Sequence, residues 1–185
     1  MRQRVPTGSA SQVCLQFRDQ LQQVIACITP ESYFHYITDA VENVERLVLT
    51  PPASVQDSGE TLTLTLSASH VFEVFEDTKG NLVPSTKQYH YQIADPDGSL
   101  LRLENHPDEP NTLWPHVHVD RSRRSWDRVI GALHIPTNTI ALEQLVRFLH
   151  REFDIPYLPD EDAALKVLSE VYKQHTLVRS WADEP

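Results

Sequence analysis

Hydrophobic positions in the first part of the chain recur at intervals of three and four residues. Because an α-helix turns once every 3.6 residues, this spacing predicts a helix that begins near Ser11 with one apolar stripe. Pro30 ends the pattern, and residues 1–10 are polar and expected to be disordered. The stripe consists of Val13, Phe17, Leu21, Val24, Ile25 and Ile28.

The period of the hydrophobic pattern changes to two in the middle of the chain. The run TLTLTLSAS alternates Thr with Leu, and the runs STKQYHYQIA and SLLRLENH flank the turn sequence DPDG. Such alternation predicts half-buried strands, and Asp-Pro-Asp-Gly predicts a tight turn between two of them. The run NTLWPHVHVD predicts one further short strand. Consecutive strands joined by short turns indicate an antiparallel meander of about four or five strands.

The helical spacing returns in the last third of the chain. The run PTNTIALEQLVRFLHREFD predicts a helix capped at Thr137 or Thr139, because a hydroxyl at this position accepts a hydrogen bond from a free backbone amide. The run IPYLPDEDAALKVLSEVYKQH predicts a second helix with an acidic first turn, as the helix dipole favours. The apolar positions of the first of these helices are Ile140, Leu142, Leu145, Val146 and Leu149.

These patterns together predict a single α+β domain over residues 1–185, with an antiparallel meander sheet packed against N- and C-terminal helices. Residues 11–58 hold the N-terminal helix and a variable region, in which residues 40–49 fit either a helix or a strand. Residues 60–154 form the core of the domain, and residues 155–185 form a C-terminal helix and tail.

The charge balance narrows the classes of partner. The chain has 16 Lys and Arg against 26 Asp and Glu, a net charge of −10. This argues against non-specific coating of nucleic acid, which Lys and Arg drive, but it allows a local basic site or a basic partner. No apolar run is long enough to span a bilayer and no signal sequence is recognised. Cys14 and Cys27 lie too far apart along one helix to bridge, so we expect a reducing cytoplasmic setting.

The segment WPHVHVDRSRR, residues 114–124, brings histidine and arginine together. His116 and His118 are two apart on a predicted strand, so their side chains share one face. One hypothesis is a metal site, with a third ligand from His106, His90, Glu104 or Asp120. Against it, no Glu follows the pair, and the arginines that occupy that stretch raise the electrostatic cost of a divalent cation.

A second hypothesis is metal-independent acid–base catalysis on a phosphodiester. A neutral imidazole takes the proton of a ribose 2′-hydroxyl, and a protonated imidazole gives a proton to the leaving 5′-oxygen. Arginine would stabilise the charge that develops on the phosphate, and the candidates are Arg102, Arg121, Arg123 and Arg124. A third hypothesis assigns the histidines no function beyond a solvated strand face.

The order of motifs in this part of the chain resembles the toxins of bacterial TumE-type toxin–antitoxin systems. The resemblance covers roughly residues 70–153 and makes residues 60–154 a toxin-like core. Its departures are Leu103 in place of an aromatic residue, Glu104 in place of Asp, and Val117 in place of a basic residue. The residues that carry it are Tyr89 and Tyr91, the turn at 95–98, Arg102, Glu104, Asn105 and His106, then Pro115, His116 and His118.

The resemblance implies a small cytoplasmic toxin with an RNA target and a DNA-binding antitoxin protein as its partner. Combined with the second hypothesis, it predicts an endoribonuclease without a cofactor or a membrane partner, and it allows a homo-oligomer. The predicted catalytic residues are His116, His118 and His106, and the predicted nucleic-acid-binding residues are Arg102, Arg121, Arg123 and Arg124. Glu104, Asn105, Tyr89 and Tyr91 are predicted accessory residues. The alternatives are a non-enzymatic protein that docks a basic partner and a metal-dependent enzyme.

Overall fold

The computed structural model describes residues 9–39, 44–106, 115–119, 135–136 and 139–179. Three helices and eight strands lie in these residues. The helices are α1 (Ala10–Ile25), α2 (Leu142–Phe153) and α3 (Glu161–Arg179). The strands are β1 (Tyr33–Asp39), β2 (Val44–Thr50), β3 (Ala53–Gln56), β4 (Thr63–Glu76), β5 (Leu82–Asp95), β6 (Gly98–Asn105), β7 (His116–Val119) and β8 (Ile135–Pro136).

The strands form one antiparallel sheet in the order β1-β2-β4-β5-β6-β7-β8. β4 and β5 are the longest strands, at 14 residues each, and they occupy the centre. One edge of β4 pairs with β5. The other edge pairs with β3 near the beginning of β4 and with β2 near its middle. The strands β1 to β3, which precede residue 58, therefore belong to the same sheet as the later strands.

All three helices contribute to a core on one face of this sheet. In α1 the predicted stripe is buried, and the ring of Phe17 lies 4.9 Å from that of Phe72 on β4, measured between centroids. Burial of such side chains is the main stabilising contribution to the fold. The other helices bury their apolar stripes in the same cluster, through Leu142, Leu145, Val146 and Leu149 of α2 and Ala164, Leu168 and Val171 of α3.

The structure confirms the α+β class, the antiparallel meander and the helices at both ends of the chain. The described sheet has eight strands rather than the four or five expected, because residues 33–56 form strands β1 to β3. Residues 1–8, on which most of the predicted disordered N-terminus falls, lie outside the described residues.

The predicted cap of α2 was wrong. The helix has Ala141 as its N-cap, and the backbone amide of Ala141 donates to Oε1 of Gln144 at 2.8 Å. Gln144 thus accepts from the amide of the N-cap residue itself, whereas the expected threonine hydroxyl would have accepted from an amide within the first turn. The helix α3 extends to Arg179, into the segment that the sequence suggested was a tail. No described helix combines the length and the apolar character that crossing a membrane would need.

The two faces of the sheet differ in chemical character. On β5, Tyr89, Tyr91 and Ile93 are buried in the helix-covered core, whereas His90 and Gln92 alternate with them and point to the other face. This second face, here called the polar face, carries part of the residues that the sequence singled out for chemistry.

Candidate functional site

A β-bulge in the hairpin β5–β6 decides which side chains reach the polar face. Asp95 pairs with Gly98 across the turn, and Ala94 pairs with Ser99, but the next pair is Ile93 with Leu101. Leu100 is the extra residue of the bulge. Beyond it the register is shifted by one position, so that His90 lies directly opposite Glu104. Without the bulge Glu104 would face Tyr89 and would point into the core.

The strand β7 adds the predicted histidine pair to the same face. In the register of β6 with β7, His116 lies opposite Glu104 and His118 lies opposite Arg102. Side chains of directly opposed residues point to the same face of an antiparallel sheet. Val117, which alternates with the histidines, packs against the core instead.

Three imidazoles surround the carboxylate of Glu104. Nε2 of His90 lies 3.1 Å from Oε1, and Nε2 of His118 lies 3.1 Å from Oε2. Nε2 of His116 is 3.8 Å from Oε2 and only 2.8 Å from Nε2 of His118. We call Glu104, His116, His118 and His90 the Glu104 cluster. Every member is positioned by a strand, which makes the geometry more rigid than a loop would.

The Glu104 cluster is graded in its exposure to solvent. Glu104 and His116 are buried, whereas the side chains of His118, His90 and Arg102 are 22%, 31% and 44% exposed. A molecule in solution can therefore reach the cluster past His118 and Arg102 or past His90.

Glu104 is held in its charged form. The hydrogen bond from His90 lowers the pKa of this carboxyl group from its ordinary value of 4.5 to about 2, and the charge of Arg102 adds to the effect against the opposing influence of burial. The guanidinium of Arg102 lies 3.6 Å from Oε1 of Glu104. The carboxylate is thus anionic throughout the physiological pH range, although it is buried.

Some of the residues predicted for the site lie elsewhere. Tyr89 and Tyr91 are buried on the opposite face, where their rings stack with centroids 4.9 Å apart. The hydroxyl of Tyr89 accepts a hydrogen bond from the backbone amide of Ile140 at 3.1 Å, so this residue connects β5 to the segment before α2. These tyrosines belong to the core because they alternate with His90, and they do not line the site.

Two neighbours of Glu104 are also separate from the cluster. Asn105 points to the other face, since it follows Glu104 on the strand, and its side-chain amide donates to the carbonyl of Lys87 at 3.3 Å. His106 is half-buried just beyond the end of β6. Among the described residues, the metal-ligand atoms that lie within 4.8 Å of one another belong to Glu104, His116 and His118, and His106 is not in this set.

The predicted arginine cluster cannot be placed relative to the site. Arg121, Arg123 and Arg124 lie outside the described residues, as does Asp120, one of the candidate third ligands. Arg102 is the predicted phosphate-binding residue that the structure places beside the Glu104 cluster.

His90 belongs to the Glu104 cluster but was absent from the predicted catalytic set. It appears in the sequence only as a candidate metal ligand, because it is isolated between two tyrosines. The signal that could have found it is the apolar alternation of the two hairpin strands. If Tyr89 and Tyr91 are aligned with Leu101 and Leu103 on one face, His90 and Glu104 must share the other.

The arrangement is suited to two kinds of chemistry. A carboxylate that orients an imidazole is a common element of acid–base catalysis. Two imidazoles and a carboxylate that converge on one point are also a common ligand set for a transition-metal ion. No protein-family model, curated protein or solved structure matches this chain, so the choice depends on the geometry of the cluster itself.

Proposed function

We propose that this protein is a toxin of a bacterial toxin–antitoxin pair and that it cleaves RNA at the Glu104 cluster. The observation that carries the proposal is the convergence of the two predicted catalytic histidines on a buried, ionised Glu104 beside an exposed arginine. The resemblance of residues 70–153 to TumE-type toxins supports the choice of RNA as the substrate and of a DNA-binding antitoxin as the partner. A cytoplasmic location follows from the same proposal.

The cleavage reaction is an internal transesterification of the RNA backbone. The ribose 2′-oxygen forms a bond to the adjacent phosphorus while the bond from phosphorus to the 5′-oxygen breaks. The proton of the 2′-hydroxyl passes to a base, and the leaving 5′-oxygen receives a proton. The products are one strand ending in a 2′,3′-cyclic phosphate and one strand beginning with a 5′-hydroxyl.

Arg102 supplies the binding function in this proposal. Its guanidinium is largely exposed, lies directly across the strand pair from His118, and is held near the cluster by Glu104. A guanidinium binds phosphate oxygens through two parallel hydrogen bonds, which both orients the phosphate and stabilises its developing charge. Arg102 therefore provides a local cationic contact on a protein whose net charge of −10 would otherwise repel RNA.

Controlled expression in a bacterial host tests this function. We expect the wild-type protein to arrest growth and to degrade total RNA, and we expect the double variant His116→Ala/His118→Ala to do neither. The control is His35→Ala, which removes an exposed histidine from β1, at the far edge of the sheet. The proposal is overturned if the wild type leaves growth and RNA intact, or if the double variant, present at the same level in folded form, degrades RNA equally.

A further inference from the structure

Three atoms with lone pairs converge at the centre of the Glu104 cluster. They are Nε2 of His116, Nε2 of His118 and Oε2 of Glu104, with separations of 2.8, 3.1 and 3.8 Å. Protons cannot satisfy this triangle well. Nε2 of His118 carries either one proton or one lone pair. It can donate to Glu104, donate to His116 or accept from His116, so only one of its two short contacts can be a linear hydrogen bond.

The same separations disfavour direct acid–base catalysis by the two imidazoles. An acid and a base that act on one phosphate must flank it, whereas the two Nε2 atoms here lie within hydrogen-bond distance of each other. No phosphate group fits between atoms 2.8 Å apart. The metal-independent mechanism expected from the sequence would require the two strand-held rings to separate.

We propose that Glu104, His116 and His118 bind one divalent transition-metal ion such as zinc, and that this ion is the cofactor of RNA cleavage. Bonds of about 2.0–2.2 Å from such an ion to nitrogen and oxygen place neighbouring ligand atoms roughly 3.0–3.5 Å apart. Of the three separations in the cluster, 3.1 Å lies within this range, 2.8 Å falls just below it and 3.8 Å just above it. Two imidazoles select zinc or iron over magnesium or calcium, which prefer sites made of oxygen ligands.

The remaining residues of the cluster fit the surroundings of such an ion. His90 donates to the oxygen of Glu104 that is not in the triangle, and a bond of this kind orients a ligating carboxylate. Three protein ligands leave at least one coordination position for water or substrate, which is typical of catalytic rather than structural sites. A phosphate oxygen would reach the ion past His118, because this ligand is partly exposed and Arg102 lies beside it.

The charges of the site favour an anionic substrate. An ion of charge +2 with one carboxylate ligand leaves a net charge of +1, and Arg102 adds a second positive charge 3.6 Å from that carboxylate. In the absence of an anion these charges oppose metal binding, so a phosphodiester that bridges the ion and the guanidinium would relieve their repulsion. This inference rests on the proposed function for its substrate but not for the metal site itself.

Titration of the full-length, chelator-treated protein with Co(II) tests the inference directly, because Co(II) takes zinc sites and absorbs visible light when protein ligands replace water. We expect one Co(II) per chain, with an absorption spectrum of four or five ligands including nitrogen. His90→Gln should keep one site and lower its affinity about 10- to 100-fold. Glu104→Gln and His118→Gln should lower it further, and His35→Gln should leave it unchanged.

The inference is overturned if the folded wild type binds no Co(II), or if Glu104→Gln and His118→Gln bind it as the wild type does. Circular dichroism of each variant establishes that it is folded. His118→Gln keeps the test usable if Glu104→Gln fails to fold, because His118 is partly exposed whereas Glu104 is buried. An RNA assay separates this test from the function. Cleavage by the metal-free protein in EDTA would contradict the role of the ion as cofactor, whereas Co(II) binding without RNA cleavage would contradict the proposed function alone.

Discussion

At the scale of single residues, Glu104 organises the site. It accepts a hydrogen bond from His90 through one oxygen and faces His116 and His118 with the other. A buried carboxylate is costly unless it is paired, and here imidazoles and a guanidinium surround it. Removing the charge should therefore weaken metal binding and lower the free energy of unfolding of the metal-free protein.

The pH dependence of stability measures that role. In the metal-free protein the folded pKa of Glu104 is about 2, below its ordinary value of 4.5. Its stabilising contribution is therefore fully present above pH 4.5 and is lost as the pH falls towards 2. We expect Glu104→Gln to unfold more easily than the wild type by on the order of 2 kcal/mol at pH 5.

Urea unfolding of both proteins in EDTA, at a series of pH values, provides the comparison. The difference in the free energy of unfolding should shrink steadily between pH 4.5 and pH 2. A difference that stays constant over this interval would mean that the Glu104 carboxylate is not held in its charged form by its neighbours.

At the scale of elements, the hairpin β5–β6 determines what each face of the sheet contains. Hydrophobic alternation predicted its two strands, and Asp-Pro-Asp-Gly predicted its turn. The bulge at Leu100 was not predictable from the turn, because a regular two-residue hairpin pairs Glu104 with Tyr89. The bulge restores agreement between the apolar faces of the two strands, and it is the reason that Glu104 joins the histidines.

Glu104 was one of four candidate third ligands, and the sequence could not single it out for a related reason. The expected place for a carboxylate was after His118, where arginines occur instead. In the structure the carboxylate comes from the neighbouring strand, 12 positions before His116, through the pairing of β6 with β7. Sequence spacing along one strand therefore located the histidine pair, but it could not select Glu104 from the four candidate ligands, because only the sheet register brings it near.

The contact between β5 and the start of α2 offers a matched test on the opposite face. Tyr89→Phe removes the hydroxyl that accepts a hydrogen bond from the backbone amide of Ile140, and it leaves the ring in place. Because the amide then loses this partner, we expect the free energy of unfolding to fall by about 1–3 kcal/mol. Urea unfolding measures this loss, and Co(II) titration of the same variant should give the wild-type affinity.

A Tyr89→Phe variant with impaired Co(II) binding would contradict the assignment of this tyrosine to the core alone. An accessory role at the site would require Tyr89 to affect Co(II) binding from the opposite face of the sheet. A role in the core alone predicts a loss of stability without a change in Co(II) affinity.

At the scale of the whole molecule, the fold divides its tasks between the two faces of one sheet. The helices stabilise the protein on one face, and the Glu104 cluster lies on the other. The sequence predicted this α+β arrangement because long periodic segments determine the type of each element. It underestimated the sheet because residues 33–56 contain no single clean period, and their pairing with β4 is a tertiary contact.

The acidic charge of the whole chain also has a consequence for the proposed activity. A protein of net charge −10 gains little general attraction to RNA. Binding must then depend on the few positive groups at the site, which include Arg102 and the inferred metal ion. This separates the protein from those that coat nucleic acid and is consistent with action on a limited set of phosphates.

Cleavage of a defined oligoribonucleotide by the purified protein, measured with zinc and with EDTA, tests the central claim most directly. We predict that the wild type cleaves the RNA to a 2′,3′-cyclic phosphate end and spares the corresponding deoxyribose strand. Glu104→Gln should reduce the cleavage rate on the order of 100-fold or more, while His35→Gln should cleave like the wild type. A folded wild type that cleaves no RNA under either condition, or a Glu104→Gln variant that cleaves at the wild-type rate, would contradict the account.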